Sequence, residues 1–199
     1  MIDDAVTALR RGEALVVPTD TVYGLVASPF RDEPTLRLYR LKGRAPTQPS
    51  ALMTPSVDVL FELVPELRGR AGVVARALFP GAYTLVLPNP ARRFRWLTGE
   101  KPDTIGVRVP ELPEPTATIL ERAGGFVATS ANLAGSPDPV RAEDVPQELR
   151  DAVALVIDGG ELSGTPSTVL DLTGDEPRVL REGAVSAGEA IERVRALIL

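Results

Sequence analysis

The chain has 199 residues, 44% hydrophobic and 25% charged, with 22 Lys and Arg against 27 Asp and Glu and a formal net charge of −5. That is an ordinary globular composition, long enough for one filled core, and its acidic balance argues against a general nucleic-acid binder. With no Cys and no His, thiolate nucleophiles, His-based triads, disulfide frameworks and N/S zinc sites are excluded. Catalysis would then have to run on carboxylates, hydroxyls, Lys, Arg and backbone amides, with a borrowed magnesium ion.

No apolar run approaches the roughly 20 residues of a membrane span, and the N-terminus MIDDAVTALRRGE is acidic and polar. The expectation is a cytoplasmic protein built as a single domain over 1–199. Only Lys42 and Lys101 are lysine, Asn occurs only at 89 and 132, and proline is abundant at 19 residues. Such a composition suits a heat-adapted host, and codon bias gives a similar pattern.

Strand-length apolar runs alternate with helical patterns, the signature of an α/β fold. A first helix is predicted over about Asp3 to Arg11, ended by Gly12. ALVVP at 14–18 reads as a buried strand running into the turn-rich segment TDTVYGL. Asp32 is placed to cap a helix to about Leu41, with Pro34 in its first turn. SALM at 50–53 is a short strand, and Ser56 and Glu66 begin two helical stretches, the second stopping at Pro80-Gly81. YTLVLP at 83–88 and TIGVRV at 104–109 are strands flanking a basic-aromatic segment, Arg92–Trp96, to which no role is assigned. A helix from about Thr116 ends at Gly124-Gly125, followed by the strand FVATS at 126–130. Short strands follow at ALVID, STVLDL and RVLRE. Ser186 and Glu189 form a capping-box pattern for a last helix with Ile191, Val194 and Ile198 on one face.

Four loops gather small hydroxyl residues or cations where an element ends. In PTDTVYG (18–24), Thr19 and Thr21 offer hydroxyls, Tyr23 an aromatic wall and Gly24 backbone access; an ordinary turn has the same composition. In LKGRAPTQPSALM (41–53), Lys42 and Arg44 bracket a glycine, so two cations can reach one anion; a basic turn favoured by the helix dipole is the plainer reading. In ATSANLAGSPDP (128–139), three hydroxyls and Asn132 follow a strand directly, the usual ligand position in open α/β sheets; an Asx-type turn satisfies the same pattern. In the fourth, Ser167 and Thr168 enter one strand and Arg181 leaves the next. No Walker pattern and no GxGxxG is present.

PTDTVYGL, LKGR…P…ALM, FPGAYTLVL, IGVRVP, ATSANLAG, STVLDL and VLREG occur in this order from about residue 5 to about residue 185. Together they resemble the YrdC-like family of L-threonylcarbamoyladenylate synthases, in its short form without an additional C-terminal domain. The resemblance implies an α/β fold in which a twisted mixed sheet with flanking helices surrounds an open concave cavity. It implies synthesis of threonylcarbamoyl-AMP and diphosphate from L-threonine, bicarbonate and ATP, with Mg2+ accompanying ATP and no protein metal ligands assigned. The product would pass to a separate transferase that modifies an adenosine in tRNA. By position in these motifs, Thr19, Thr21, Arg108 and Ser167 would bind L-threonine. Lys42, Arg44, Gln48, Thr104, Ser130, Asn132 and Arg181 would bind ATP, with Lys42 and Arg44 as the catalytic cations. Thr104 and Ser167 also fit simple strand-edge positions. The chain departs from the commoner family pattern at Ala45, at Gln48 where Lys or Asn is frequent, at Met53 where some members place a His, and at Asp138 in place of a small hydroxyl residue. Two other functions fit the same features: a paralogue of this fold without synthase activity, and an RNA- or ribosome-binding module using Arg40, Lys42, Arg44, Arg92, Arg93 and Arg95.

Overall fold

The computed structural model describes residues 1–67 and 69–198. Its strands are β1 (Leu15–Pro18), β2 (Tyr23–Ala27), β3 (Ala51–Met53), β4 (Tyr83–Pro88), β5 (Thr104–Arg108), β6 (Phe126–Ser130), β7 (Leu155–Val156), β8 (Thr168–Asp171) and β9 (Arg178–Arg181). Its helices are α1 (Ile2–Arg10), α2 (Asp32–Lys42), α3 (Val57–Leu63), α4 (Gly69–Leu78), α5 (Thr116–Ala123), α6 (Gln147–Ala152) and α7 (Ala187–Ile198). The strands form one mixed sheet in the order β7-β1-β2-β6-β3-β5-β4-β8-β9. The β1/β7, β3/β5 and β4/β8 pairs are parallel and the other pairs antiparallel.

Because strand side chains alternate between faces, one sequence gives the sheet two different surfaces. Leu52, Leu85, Ile105, Val107, Val127 and Leu170 point to one face, where α2, α3, α4, α6 and α7 cover them with Leu38, Leu60, Val74, Leu149 and Val194. The alternate residues form the other face. At its β1-β2 end Leu15, Val17, Val26 and Phe126 are covered by α1 and α5 through Val6, Leu9, Ile119 and Leu120. Beyond those two helices the same face carries Thr84, Val86, Thr104, Gly106, Arg108 and Ser130, and it lines a cavity. The site is therefore the part of the sheet that no helix covers.

Most boundaries follow the sequence signals. Gly43 and Gly124 end α2 and α5 in the left-handed conformation, at φ 64° and 78°, which costs glycine little. The Ser56 hydroxyl accepts from the Val59 amide, and the Ser186 hydroxyl accepts from the Glu189 amide. Val194 is buried on α7 as expected, while the Ile198 side chain lies outside the described residues. Three readings need correction. TDTVYGL is not only a turn: Thr19–Val22 is the tip of a hairpin whose return strand, β2, pairs with β1. Asp32 is the first residue of α2, with Arg31 at the cap position and no side-chain cap bond. Glu66 precedes the helix it was expected to begin, since α4 starts at Gly69.

Gly183 links the fold to the cavity wall. A Cβ there would lie 2.1 Å from the Pro166 carbonyl oxygen and 2.6 Å from the Ser167 carbonyl carbon, both backbone atoms that must move to admit it. Gly183→Ala is expected to lower the unfolding free energy by about 1–3 kcal/mol, measured by urea denaturation. Gly188→Ala, where no atom lies within 4 Å of the new Cβ in the first turn of α7, is expected to raise it by about 0.5 kcal/mol.

Candidate active site

The cavity has a volume of about 780 Å³, within the range of small-molecule sites. Every residue that the resemblance assigns to a substrate lines it: Thr19, Thr21, Lys42, Arg44, Gln48, Thr104, Arg108, Ser130, Asn132, Ser167 and Arg181. Thr168, also singled out, is instead fully buried with its hydroxyl on the Val185 backbone. The sheet order brings them together, since β2, β6, β3, β5, β4 and β8 lie side by side.

At the C-terminus of α2, Lys42 is only 5% exposed. Its Nζ donates to the Ser130 carbonyl oxygen at 2.6 Å, to Ser130 Oγ at 3.1 Å and to Asn132 Oδ1. Ser130 Oγ donates to Asn132 Oδ1 at 2.7 Å, and Asn132 Nδ2 donates to Asp138 Oδ1 at 3.2 Å. The SAN loop is thus folded around the ammonium. Beside it, Arg44 donates from Nη1 to Thr129 Oγ1 at 3.1 Å and from Nη2 to the Pro49 carbonyl oxygen, with its guanidinium over the Tyr39 ring. Burial lowers the pKa of Arg44 and of Arg181.

On the opposite wall, Arg181 donates from Nε and Nη2 to the Ser167 carbonyl oxygen at 3.2 and 2.9 Å, and from Nη2 to Ser167 Oγ at 3.2 Å. Ser167 Oγ also lies 2.8 Å from Thr84 Oγ1. Ser167 is 2% exposed and held by two residues, Arg181 and Thr84, so it is more than a strand-edge residue. Thr104 gives its hydroxyl to the Lys101 carbonyl oxygen at 3.1 Å, keeping the local role that a strand edge implies while still facing the cavity. Thr19 Oγ1 donates to the Val22 carbonyl oxygen at 2.6 Å and accepts from the Thr21 and Val22 amides. It shapes the hairpin tip, and Thr21 Oγ1 lies 3.2 Å away.

Charge is distributed unevenly. Arg108 donates from Nη2 to Asp20 Oδ1 at 2.7 Å, and at the rim Arg178 pairs with Asp171. Among the described residues, Lys42, Arg44 and Arg181 have no carboxylate oxygen within 4.0 Å, and Asp138, the one unpaired acid in the lining, acts on Lys42 and Arg181 from farther away. Tyr23 is not part of the wall. It points into the opposite core at 0% exposure, where its hydroxyl donates to the Gly160 carbonyl oxygen at 2.8 Å and accepts from the Gly159 amide. Gly24 does line the cavity, and a Cβ there would come within 3.0 Å of Thr19 Cγ2. Gln48 is exposed at the rim, and Met53 is buried with its edge in the lining.

The sequence reading assigned no role to Asp20 or Thr84, and it offered Thr129 as a loop hydroxyl without the Arg44 partner that the structure shows. Thr84 was available from the alternation of YTLVLP, which puts it on the face of Val86. Asp20 had a local signal too, a carboxylate between two threonines just past a buried strand.

A mixed α/β sheet with one face left partly bare, carrying cations without carboxylate partners and inward hydroxyls, has the chemistry to take a polyanionic small molecule. The Sua5/YciO/YrdC family model, described as telomere recombination, matches residues 7–183, and the chain belongs to that family. A Bacillus subtilis threonylcarbamoyl-AMP synthase is 34% identical over 194 residues, covering 97% of this chain and 56% of that protein. A Chromohalobacter salexigens threonylcarbamoyl-AMP synthase is 36% identical over 180 residues, covering 88% and 94%. The crystal structure of Pyrococcus abyssi Sua5 complexed with L-threonine superposes with a TM-score of 0.87 at 35% identity, covering 98% of this chain and 57% of that one. Escherichia coli YciO superposes at 0.81 with 31% identity, covering 96% and 92%. The chain spans little more than half of the B. subtilis and P. abyssi proteins.

Burial, aided by the Arg44 charge and opposed by Asp138, lowers the Lys42 pKa from 10.5 to about 8. Between those values the unfolded chain binds more protons than the folded one, so the Lys42 contribution to stability rises with pH across that window. Below about pH 8 the cost of burying the charge stands in full. Lys42→Met is expected to flatten the rise in unfolding free energy between about pH 8 and pH 10.5 relative to the parent, measured by urea denaturation at a series of pH values.

Proposed function

We propose that the chain is a nucleotidyltransferase that forms L-threonylcarbamoyl-AMP and diphosphate from L-threonine, bicarbonate and ATP. The observation that carries this reading is the charge arrangement: buried Lys42, half-buried Arg44 and exposed Arg181, none with a carboxylate partner among the described residues, share one cavity with an Arg108 that is already paired. The first set suits phosphates and the second suits a net-neutral amino acid. The names of the synthase relatives and the L-threonine complex of P. abyssi Sua5 support the same reading.

The substrates supply both nucleophile and leaving group. The amine of threonine adds to the carbon of bicarbonate and water leaves, giving a carbamate. A carbamate oxygen then attacks the α-phosphorus of ATP, the bond to the β-phosphate oxygen breaks, and diphosphate departs. The protein has to align the partners, exclude water and stabilise charge developing on phosphate oxygens. Lys42 and Arg44 act on the phosphates, with Ser130, Asn132 and Arg181 orienting the nucleotide and Gln48 and Thr104 at its edge. Thr19 shapes the hairpin tip so that Thr21 meets L-threonine, Arg108 takes the threonine carboxylate, and Ser167 lies at the carbamate end.

Mg2+ would enter with ATP and neutralise diphosphate as it leaves. Among the described residues no group of three or more acids is placed to hold a metal, and Asp138 is the lining carboxylate free of an ion pair. It would be the protein group nearest to such an ion, and the metal would offset its repulsion of phosphates. A cytoplasmic location and transfer of the adenylate to a separate tRNA-modifying enzyme follow from this reaction. The RNA-binding alternative gains nothing from the basic-aromatic segment, where Arg92 and Arg93 are spent on Asp103 and Glu66.

Incubation with ATP, labelled bicarbonate and L-threonine is expected to release diphosphate and labelled adenylate only when threonine is present. Lys42→Ala and Arg44→Ala are each expected to lower kcat by about 10²–10³ with the circular dichroism spectrum retained. Wild-type protein without threonine-dependent product, or variants with unchanged turnover, would rule the proposal out.

A further inference from the structure

We propose that Asp20 makes the amino-acid end of the cavity selective for a zwitterion, by balancing the charge of Arg108 and facing the substrate ammonium. The inference rests on the synthase reading and adds to it a residue that chooses among ligands. Asp20 lies between Thr19 and Thr21 at the tip of the β1-β2 hairpin; those two threonines and Arg108 line the cavity, and Asp20 reaches it through its ion pair with Arg108. The side chains of Arg108 and Asp20 are 12% and 10% exposed, and they meet through a single bond, Nη2 to Oδ1 at 2.7 Å. Each partner keeps unused capacity: Arg108 Nε and Asp20 Oδ2 are buried with no hydrogen-bond partner among the described residues.

A buried cation alone attracts any carboxylate. A buried cation beside a buried carboxylate presents a plus and a minus, and the ligand that complements it carries one of each. L-Threonine does, with its carboxylate toward Arg108 and its ammonium toward Asp20. The deaminated analogue 3-hydroxybutanoate keeps the carboxylate and the hydroxyl but places nothing positive near Asp20, so it meets the uncompensated negative charge. Specificity here is a difference between two affinities, created by repulsion as much as by attraction. At the nucleotide end, among the described residues, no carboxylate oxygen lies within 4.0 Å of Lys42, Arg44 or Arg181, and Asp138 acts on Lys42 and Arg181 only from farther away, consistent with a ligand that is mostly anionic.

The test compares wild type, Asp20→Asn and the double variant Asp20→Asn/Arg108→Gln, which leaves no unpaired charge behind if the single variant fails to fold. Three quantities are read: KM for L-threonine, the inhibition constant of 3-hydroxybutanoate, and KM for ATP. Asp20→Asn is expected to raise KM for L-threonine on the order of tenfold or more, to tighten or leave unchanged 3-hydroxybutanoate, and to leave KM for ATP within about twofold. The double variant is expected to bind the two ligands with similar, weak affinity, read by calorimetry. Equal weakening of both ligands in Asp20→Asn would make Asp20 a merely structural residue and overturn the inference, as would an unchanged KM for L-threonine. If the single variant does not fold, a double variant that still prefers L-threonine by the wild-type ratio overturns it. A wild-type protein that makes no threonine-dependent adenylate refutes the synthase reading itself, and is separated from these outcomes because it is read before any variant is made.

Discussion

Taking an ammonium ion out of water costs several kcal/mol unless its N–H groups find oxygen atoms, and that constraint at Lys42 organises the rest of the site. The three acceptors around Nζ come from the end of β6 and the loop after it. The last residue of α2 is thereby tied to a strand 88 residues further on. Ser130 and Asn132 cannot satisfy Lys42 without adopting the loop conformation that also turns Asn132 toward Asp138. Arg44, two residues along, is then carried over Thr129 and the Pro49 carbonyl. One buried charge fixes two walls of the cavity.

The opposite wall is built by a similar exchange between a cation and backbone oxygen. Arg181 spends two donors on the Ser167 carbonyl, and Gly183 lets the chain pass so close to Pro166 that only a hydrogen side chain fits. The cavity therefore depends on oxygen atoms of the main chain as much as on side chains. Its cations are immobilised before any ligand arrives, and this reduces the ordering cost of binding a flexible polyanion.

How much of this was legible depended on the range of the signal. In β5 the string TIGVR already separates Thr104, Gly106 and Arg108 from Ile105 and Val107, and the two sets do face cavity and core. The helix ends at Gly43 and Gly124 were readable for the same local reason. β2 was not, because YGLVA follows a four-residue hairpin tip rich in hydroxyls and is buried on both faces, so it shows no alternation. Tyr23 and Gly24, read together as cavity residues, are one step apart on β2 and so lie on opposite faces, Gly24 in the cavity lining and Tyr23 in the core. The Arg108–Asp20 pair spans 88 residues and exists because β1, β2 and β5 share one sheet. No local pattern encodes that, whereas the ordered set of motifs carried the fold and family through resemblance.

The cavity lining also determines which chemical insults the site can withstand. It contains no thiol and no imidazole, and its single sulfur is the thioether of Met53, in a side chain 1% exposed. With that thioether buried, alkylating agents and copper or zinc ions meet no thiolate or imidazole there to capture, and peroxide finds no thiolate to oxidise. A wall made of ammonium, guanidinium, hydroxyl and amide groups keeps the same composition in oxidising and reducing surroundings alike.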